Sequence, residues 1–298
     1  MRKLLINFLI LSLWLGLFGC SSSKSSSQQT SPAPSTSSIQ DVGSDTLVNL
    51  ALAWAERYQA NRPAIRISVT GGGSGTGLAA LINGTTDIAN ASRAITADEI
   101  KQAKAKGENP KEWVVSRDAI AVIVNPSNPI SKLTLKQISR IYKGETNNWS
   151  ELGGENRPIV RLSRESNSGT HVYFLGAVIR MGSSTDKSIF SEDTLLLPSS
   201  EGIIAELKDN PNAIGYDGLG YVTPDVKVIA VAKDISGPYV LPSAATVNNN
   251  TYPISRDLYM YTNGEPTGAL KDYLDWIYTP EAQKIVSDLG FVPVKTGQ

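Results

Sequence analysis

The chain has 298 residues, of which 41% are hydrophobic and 19% are charged, and its formal net charge is zero. This length allows two lobes of ordinary size. The zero net charge excludes a general attraction to nucleic acid, so any anion must be attracted by local groups. The single histidine excludes a multi-histidine metal site.

Residues 1–20 have the pattern of a lipoprotein signal peptide. Arg2 and Lys3 precede an apolar run at residues 4–18, which is shorter than a membrane-spanning helix. The run ends in Leu-Phe-Gly-Cys at residues 17–20, which resembles a bacterial lipobox, although Phe18 is bulkier than the residue usual there. We expect Cys20 to carry the lipid (palmitate) and to become the mature N-terminus. The alternative is a plain signal peptide, or an uncleaved anchor, whose cysteine is incidental.

Residues 21–38 form a predicted tether. Nearly all of them are serine, glutamine, threonine or proline, and the largest hydrophobe is Ala33. Such a segment buries too little apolar surface to offset the entropy lost on ordering, so we expect it to be disordered.

From residue 39 onward, short β-type runs alternate with helical patterns. Predicted strands lie at residues 39–42, 65–69, 87–91, 119–125, 159–162, 213–216, 226–231 and 258–262. Helices are predicted from apolar residues at spacings of three and four, at residues 47–58, 78–82, 96–106, 134–143, 202–208, 268–278 and 281–289 and after residue 170. The alternation favours parallel sheets flanked by helices, in two α/β lobes.

Three turns, each between a strand and a helix, are rich in small hydroxyl residues. They lie at residues 43–46, 71–77 and 164–170. A helix start offers unpaired N–H groups to an anion, glycine lets the backbone approach closely, and hydroxyls add neutral donors. In an α/β sheet such turns meet at the carboxyl ends of strands, where ligands bind. With Arg164, whose guanidinium can contact two oxygens, they predict a site for a small tetrahedral oxyanion.

Each turn taken alone has a simpler structural explanation, because serine, threonine and aspartate are ordinary N-cap residues. The glycine run at residues 71–77 also invites a nucleotide-binding interpretation. It lacks the Gly-Lys-Ser/Thr ending of a P-loop, and its glycines do not keep the dinucleotide spacing. We therefore discount both nucleotide interpretations.

Over nearly its whole folded length the chain resembles the PstS family, the phosphate-binding lipoproteins of phosphate ABC importers. The most specific match is Arg-Glu-Ser-Asn-Ser-Gly-Thr at residues 164–170, close to the phosphate loop of the family. The other matching stretches are residues 43–46, 70–77, 87–93, 119–126 and 148–149. The resemblance implies an α/β, two-lobed type II periplasmic-binding-protein fold with a central cleft and two hinge strands. Lobe 1 is expected to comprise residues 39–118 with 259–298, and lobe 2 residues 119–258.

The resemblance also implies that phosphate lies between the lobes, which close on it. Thr46 and the Leu47 amide are expected to contact phosphate from the first turn, and Gly169 and Thr170 to contact it partly through backbone N–H groups. The full set expected to bind phosphate is Ser44, Asp45, Thr46, Leu47, Ser74, Gly75, Ser92, Arg93, Arg164, Ser168, Gly169 and Thr170.

One position departs from the pattern of the family. Some members carry, after the Ala-Ser of the third strand, an aspartate that accepts the proton of bound phosphate, whereas here Arg93 follows Ser92. Phosphate near neutral pH carries a proton and sulfate does not, so an acceptor carboxylate favours phosphate. Our hypothesis is that Asp45 supplies this acceptor, and that Arg93 adds positive charge or pairs with Asp45 or Asp118. The alternative role of Asp45 is a helix N-cap.

The function implied by the resemblance is an extracytoplasmic receptor that captures inorganic phosphate and delivers it to the permease subunits and ATPase of an ABC importer. We expect a monomer anchored to the cell membrane through Cys20, facing the periplasm or the cell exterior. We expect no catalysis, no cofactor, no metal and no nucleic-acid partner. The alternatives are a receptor for sulfate, molybdate or tungstate, a hydrolase that uses Ser168 with His171 as base, and a surface lipoprotein for adhesion or signalling.

Overall fold

The computed structural model describes residues 37–294 of the chain. The predicted signal peptide, with Cys20, lies outside the described residues. The prediction of a tether was wrong for its last two residues, because the first strand begins at Ser37, which pairs with Ile65 of the next strand, and residues 21–36 lie outside the described residues. Both serines at this strand start are exposed, so no apolar pattern marks them. Within the described range, no helix is long and apolar enough to cross a membrane.

The strands of the described region lie mostly where the sequence predicts them. They are β1 Ser37–Gly43, β2 Ile65–Thr70, β3 Ile88–Ala91, β4 Pro110–Val124, β5 Lys132–Thr134, β6 Val160–Arg164, β7 Leu195–Leu197, β8 Ala213–Gly218, β9 Lys227–Val228, β10 Ala230–Ala232 and β11 Ser255–Asn263. Two predictions were wrong in extent. The predicted strand at residues 119–125 begins nine residues earlier, and the one at 226–231 divides between β9 and β10, which belong to different sheets.

The helices follow the strands in alternation. They are α1 Asp45–Ala60, α2 Ser74–Ile82, α3 Ala97–Ala105, α4 Leu135–Tyr142, α5 Gly169–Phe174, α6 Ser200–Asp209, α7 Ala244–Asn248, α8 Gly268–Ile277 and α9 Pro280–Asp288. Thr96 and Thr134 begin α3 and α4 with capping boxes, each accepting a hydrogen bond from the backbone N–H three residues on. The chain direction of these helices is therefore fixed locally at their first turns.

The main sheet has the strand order β2-β1-β3-β11-β4-β8-β6-β7, with β9 also paired to β4. Strand β1 is parallel to β2 and β3, and β6 is parallel to β7 and β8. Strand β11 is antiparallel to both β3 and β4, and β4 is antiparallel to β8. The 15-residue β4 pairs with β11 along its first part and with β8 along its last part. It therefore joins two groups of parallel strands.

Two large hydrophobic clusters cover the sheet. In the first, Trp54 of α1 is buried and donates its indole N–H to the carbonyl of Ala282 in α9 at 2.9 Å. In the second, Tyr142 of α4 packs edge-on against Phe174 and Tyr216. Because α1 follows β1, α2 follows β2 and α5 follows β6, the three hydroxyl-rich turns all lie at carboxyl ends of parallel strands.

Candidate functional site

The structure brings the second and third hydroxyl-rich turns into direct contact. The Ser74 Oγ lies 3.2 Å from the Ser92 Oγ and accepts a hydrogen bond from the Ser92 backbone N–H at 2.9 Å. Gly169 packs onto both hydroxyls, since a Cβ added there would lie 2.3 Å from the Ser74 Oγ and 2.5 Å from the Ser92 Oγ. Only glycine fits this point, and its lack of a side chain lets the start of α5 pack directly against both serines.

The first and third turns also meet, through two buried threonines. The Thr46 Oγ1 at the start of α1 lies 2.9 Å from the Thr170 Oγ1 at the start of α5, and both side chains are fully buried. An Nη2 of Arg256, on β11, donates to Thr170 at 3.0 Å and approaches Thr46 at 3.4 Å. Two hydroxyl groups and a guanidinium therefore converge at one buried point.

The Arg164 side chain lies beneath the third turn and is 1% exposed. Its Nη1 donates to the Ser200 Oγ at 2.8 Å and its Nη2 to the Asp45 Oδ2 at 2.8 Å. The carboxylate of Asp217 lies 3.7 Å away. Its Nε and Nη2 also donate to the carbonyls of Leu197 and Pro198, so the guanidinium is held in one orientation.

Asp217 is a buried carboxyl of β8 that the sequence did not suggest. Burial raises its pKa to about 6, and the opposing effects of Arg164, the Gly218 N–H and the Ser200 hydroxyl do not cancel this. The Ser200 Oγ donates to Asp217 at 3.0 Å, so Ser200 relays between Arg164 and Asp217. The charge of this group consequently depends on pH in the range just below neutrality.

Asp118 and Arg256 form a second buried ion pair beside the threonines. The Arg256 Nη2 donates to the Asp118 Oδ2 at 2.9 Å, and its Nη1 donates to the Ser92 carbonyl at 2.9 Å. Both side chains are almost fully buried. Burial raises the pKa of Asp118, and the adjacent Arg256 guanidinium opposes this rise.

Asp45 links all three turns. Its Oδ1 accepts a hydrogen bond from the Gly72 N–H at 2.9 Å, and its Oδ2 accepts one from Arg164. A carboxylate has about four lone-pair positions, so two remain for other donors. The predicted role of Asp45 as the acceptor of a phosphate proton stays a prediction.

Asn167 joins the second turn to the third through the backbone. Its carbonyl accepts from the Gly75 N–H at 2.9 Å, and its side-chain amide donates to the Gly72 carbonyl at 2.8 Å. Gly73, with φ of 90°, approaches the Asn167 carbonyl so closely that a Cβ would lie 2.9 Å from it. The Gly75 amide is thus engaged with Asn167 in this conformation.

The other residues predicted to bind phosphate lie near these turns and have hydrogen-bond partners within the protein. The Ser44 side chain is buried, and its backbone N–H donates to the Asn90 carbonyl. The Leu47 side chain is in the hydrophobic core, and its amide donates to the Ser44 carbonyl at 3.0 Å. The Ser168 Oγ caps α5 by accepting from the Thr170 N–H at 3.2 Å.

The predicted pairing of Arg93 with Asp45 or Asp118 was wrong. Arg93 forms two hydrogen bonds, of 2.8 and 2.7 Å, with the carboxylate of Glu99 in the first turn of α3. That carboxylate is already held at the helix start by Thr96, and the charge of the N-terminal turn favours it there. Asp45 pairs instead with Arg164, and Asp118 with Arg256.

The His171 side chain contacts Ser163 and Phe190. Its Nδ1 lies 3.1 Å from the Ser163 Oγ, and its ring stacks on Phe190 at 4.4 Å between centroids. Burial lowers the pKa of His171. The imidazole therefore bonds to Ser163, while the Ser168 hydroxyl faces the Thr170 N–H.

Sequence reasoning missed Arg256, Ser200 and Asp217. For Arg256 and Asp217, the sequence signal was a charged residue among apolar residues of a predicted strand. Charges are rarely buried without a partner, so such a residue indicates a buried polar contact. Asp217 follows Ala213–Tyr216 in a fully buried strand, and Arg256 lies on the buried face of β11, two residues before the buried Leu258. Such positions mark charges that point into an enclosed polar site.

Comparison with known proteins finds relatives over most of the chain. A family model described as a PBP superfamily domain matches residues 28–281. The Phosphate-binding protein PstS of Pseudomonas aeruginosa is 32% identical over 273 residues, covering 86% of this chain and 83% of that protein. The protein of the same name from Bacillus subtilis is 32% identical over 292 residues, covering 98% and 92%.

A solved structure is similar over most of the chain. A putative phosphate ABC transporter substrate-binding protein from Clostridium perfringens, crystallised with bound phosphate, is 31% identical and has a TM-score of 0.77. The match covers 87% of this chain and 100% of that one. The fold described here is therefore similar to one that has been solved with phosphate bound.

Proposed function

This chain belongs to the PstS family of phosphate-binding proteins within the PBP superfamily, and we propose that it binds inorganic phosphate where its three hydroxyl-rich turns meet. It has the type II periplasmic-binding-protein fold, and its function is that of a phosphate-binding receptor for an ABC importer.

One observation carries the placement of the site. The buried hydroxyls of Thr46 and Thr170, from turns 124 residues apart, lie within 2.9 Å of each other and beside a guanidinium. Hydroxyl groups can donate or accept as the ligand requires, and they add no net charge. A small oxyanion with one proton needs several donors and at least one acceptor, and Asp45 supplies acceptor positions beside Arg164.

The proposed mechanism is binding followed by closure of two lobes, with no covalent step. We place the lobes at residues 39–118 with 259–298 and at residues 119–258. Strand β4 crosses the boundary between residues 118 and 119, and β11 crosses the one between residues 258 and 259, so we propose that these are the two hinge strands. Closure brings the turns after β1 and β2 against the turn after β6, and the ligand is enclosed by donors from both lobes.

We propose that the protein does not catalyse a reaction on its ligand. The relatives matched are binding proteins, and the Ser168 and His171 side chains are bonded to separate partners in the described region. A hydrolytic nucleophile needs a base within hydrogen-bond reach that a third group orients. We therefore propose a receptor that binds and hands over its ligand unchanged.

Outside the described residues, we propose that Cys20 carries a lipid anchor. We propose that a lipidated Cys20 holds the receptor at the outer surface of the membrane, and that the segment between Cys20 and β1 serves as the tether that lets it reach the permease subunits of the importer. The importer's ATPase lies on the opposite side and drives uptake. We propose that the receptor acts as a monomer, because one molecule supplies all three turns.

The proposed function is tested by calorimetric titration of the mature chain, residues 20–298, with Cys20→Ser so that no lipid is attached. The protein is unfolded and refolded first, which removes phosphate carried through purification. We expect tight binding of one phosphate per chain, with little competition from excess sulfate. Weak phosphate binding, or equal binding of sulfate, would show that another oxyanion is the ligand.

A further inference from the structure

Strands β4 and β11 carry the same dipeptide, Arg-Asp, directly opposite each other. In the antiparallel register Arg256 pairs with Asp118, and Asp257 pairs with Arg117. Successive side chains of a strand point to opposite faces, so the two ion pairs lie on opposite faces of the sheet. One face thus receives the Arg256–Asp118 pair and the other the Arg117–Asp257 pair.

The environments of the two pairs differ sharply. Arg256 and Asp118 are 2% and 0% exposed, whereas Arg117 and Asp257 are 27% and 42% exposed. The buried pair lies among the three turns, because Arg256 donates to Thr170, approaches Thr46 and bonds to the Ser92 carbonyl. The exposed pair has none of these contacts among the described residues.

Stability does not explain the buried pair. Taking a guanidinium and a carboxylate out of water costs about as much as their attraction returns, and apolar residues of similar volume often stabilise a fold equally well. An arginine placed between two hydroxyls predicted to bind an oxyanion has a more specific use. Asp118 and the Ser92 carbonyl fix its guanidinium, and its Nη2 is directed at the two threonine hydroxyls, where it can donate a charge-assisted hydrogen bond to an oxyanion.

We infer that Arg256 is a second phosphate-binding arginine of this site, held in place by Asp118, and that it contributes to affinity as Arg164 does. The inference rests on the proposed function, because it concerns the same site. Arg256 contacts hydroxyls from the turns after β1 and β6, on a strand that lies between them in the sheet. On binding, its Nη2 exchanges the threonine oxygens for phosphate oxygens, and the hydroxyls turn to donate to the same ligand.

The test replaces the buried pair without leaving a charge unpaired. The double variant Arg256→Gln/Asp118→Asn keeps the net charge and the approximate side-chain size. The matched control is Arg117→Gln/Asp257→Asn, which removes the same residue types from the same two strands on the other face. Both are prepared from the Cys20→Ser chain and titrated calorimetrically with phosphate, and their thermal unfolding is recorded without phosphate.

We expect the Arg256→Gln/Asp118→Asn variant to bind phosphate about 10- to 100-fold more weakly, the range for losing hydrogen bonds to a charged group. The control should bind like the parent chain. A folded Arg256→Gln/Asp118→Asn variant with the parent's phosphate affinity would overturn the inference. If the parent chain itself does not bind phosphate, it is the proposed function that fails.

A single substitution decides the matter if the double variant does not unfold cooperatively. Arg256→Lys keeps a cation beside Asp118 but replaces the fork with a single ammonium group. We expect it to melt close to the parent chain and to bind phosphate about tenfold more weakly. Parent-like affinity in Arg256→Lys would equally overturn the role of Arg256.

Discussion

Replacing Gly169 by alanine tests whether the turns meet as the structure shows. The added Cβ would lie 2.3 Å from the Ser74 Oγ, 2.5 Å from the Ser92 Oγ and 2.9 Å from the Ser74 Cβ. The last of these atoms belongs to a short side chain close to the backbone, and it cannot swing away. The third turn must therefore move back from the second by several tenths of an ångström or more.

The expected cost follows from the size of that overlap. One extra methyl group in a well-packed region typically destabilises the packed arrangement by about 1–3 kcal/mol. The overlap is between different turns and not within one, so the cost falls on the closed arrangement, which the ligand requires. Since 1.4 kcal/mol is a factor of ten in a binding constant, phosphate affinity should fall by about 5- to 150-fold.

The assay is calorimetric titration of Gly169→Ala with phosphate, together with thermal unfolding in its absence. Gly176→Ala is the matched control, because Gly176 lies seven residues further along, in the π-helical turn Leu175–Ile179 that follows α5, and an added Cβ meets no atom of the described region within 4 Å. We expect the control to bind as the parent chain does. A folded Gly169→Ala variant with unchanged affinity would refute the contact between these turns in the bound state.

The other predictions concern single acidic groups and the anchor. Burial raises the pKa of Asp41 to about 7, so the folded chain binds this proton more strongly than the unfolded chain and loses stability as pH rises from about 4 through 7. Asp41→Asn should therefore raise the melting temperature more at pH 8 than at pH 5, and an equal gain at both would contradict this. Asp45→Asn should relax the preference for phosphate over sulfate; unchanged sulfate competition would exclude Asp45 as the acceptor. Cys20→Ser should move the protein from the membrane fraction to the soluble fraction of cells, and retention in membranes would exclude lipidation at this position.

The fold could be predicted from local patterns where those patterns are strong. The apolar spacing of α1 and the hydrophobic run of β4 gave both elements their place, and the family resemblance gave the type II fold, which the comparisons confirm. The first nine residues of β4 were not predicted, because Lys111, Glu112 and Trp113 alternate between partly buried and exposed positions beside β11. A strand stabilised mainly by its neighbour has little signal of its own.

The candidate site was predictable in its turns but not in its charges. Serine, threonine and glycine at strand ends are visible in the sequence, and the structure places those turns in contact. The pairing of Asp118 with Arg256 spans 138 residues and depends on the register of two strands. Arg93 was predicted to lie in the site because it follows Ser92 in the chain. Its guanidinium instead pairs with Glu99, which the capping interactions of α3 hold at the start of that helix. The Asp118–Arg256 pair, by contrast, follows from tertiary geometry alone.

The position of β11 has a consequence for how the chain is made. This strand lies between β3 and β4 in the sheet, yet it is completed roughly 170 residues after β3. At typical rates of synthesis this interval is about 10–30 s, during which β3 has no partner on that side. The N-terminal strands therefore cannot form a finished sheet until most of the polypeptide has left the ribosome.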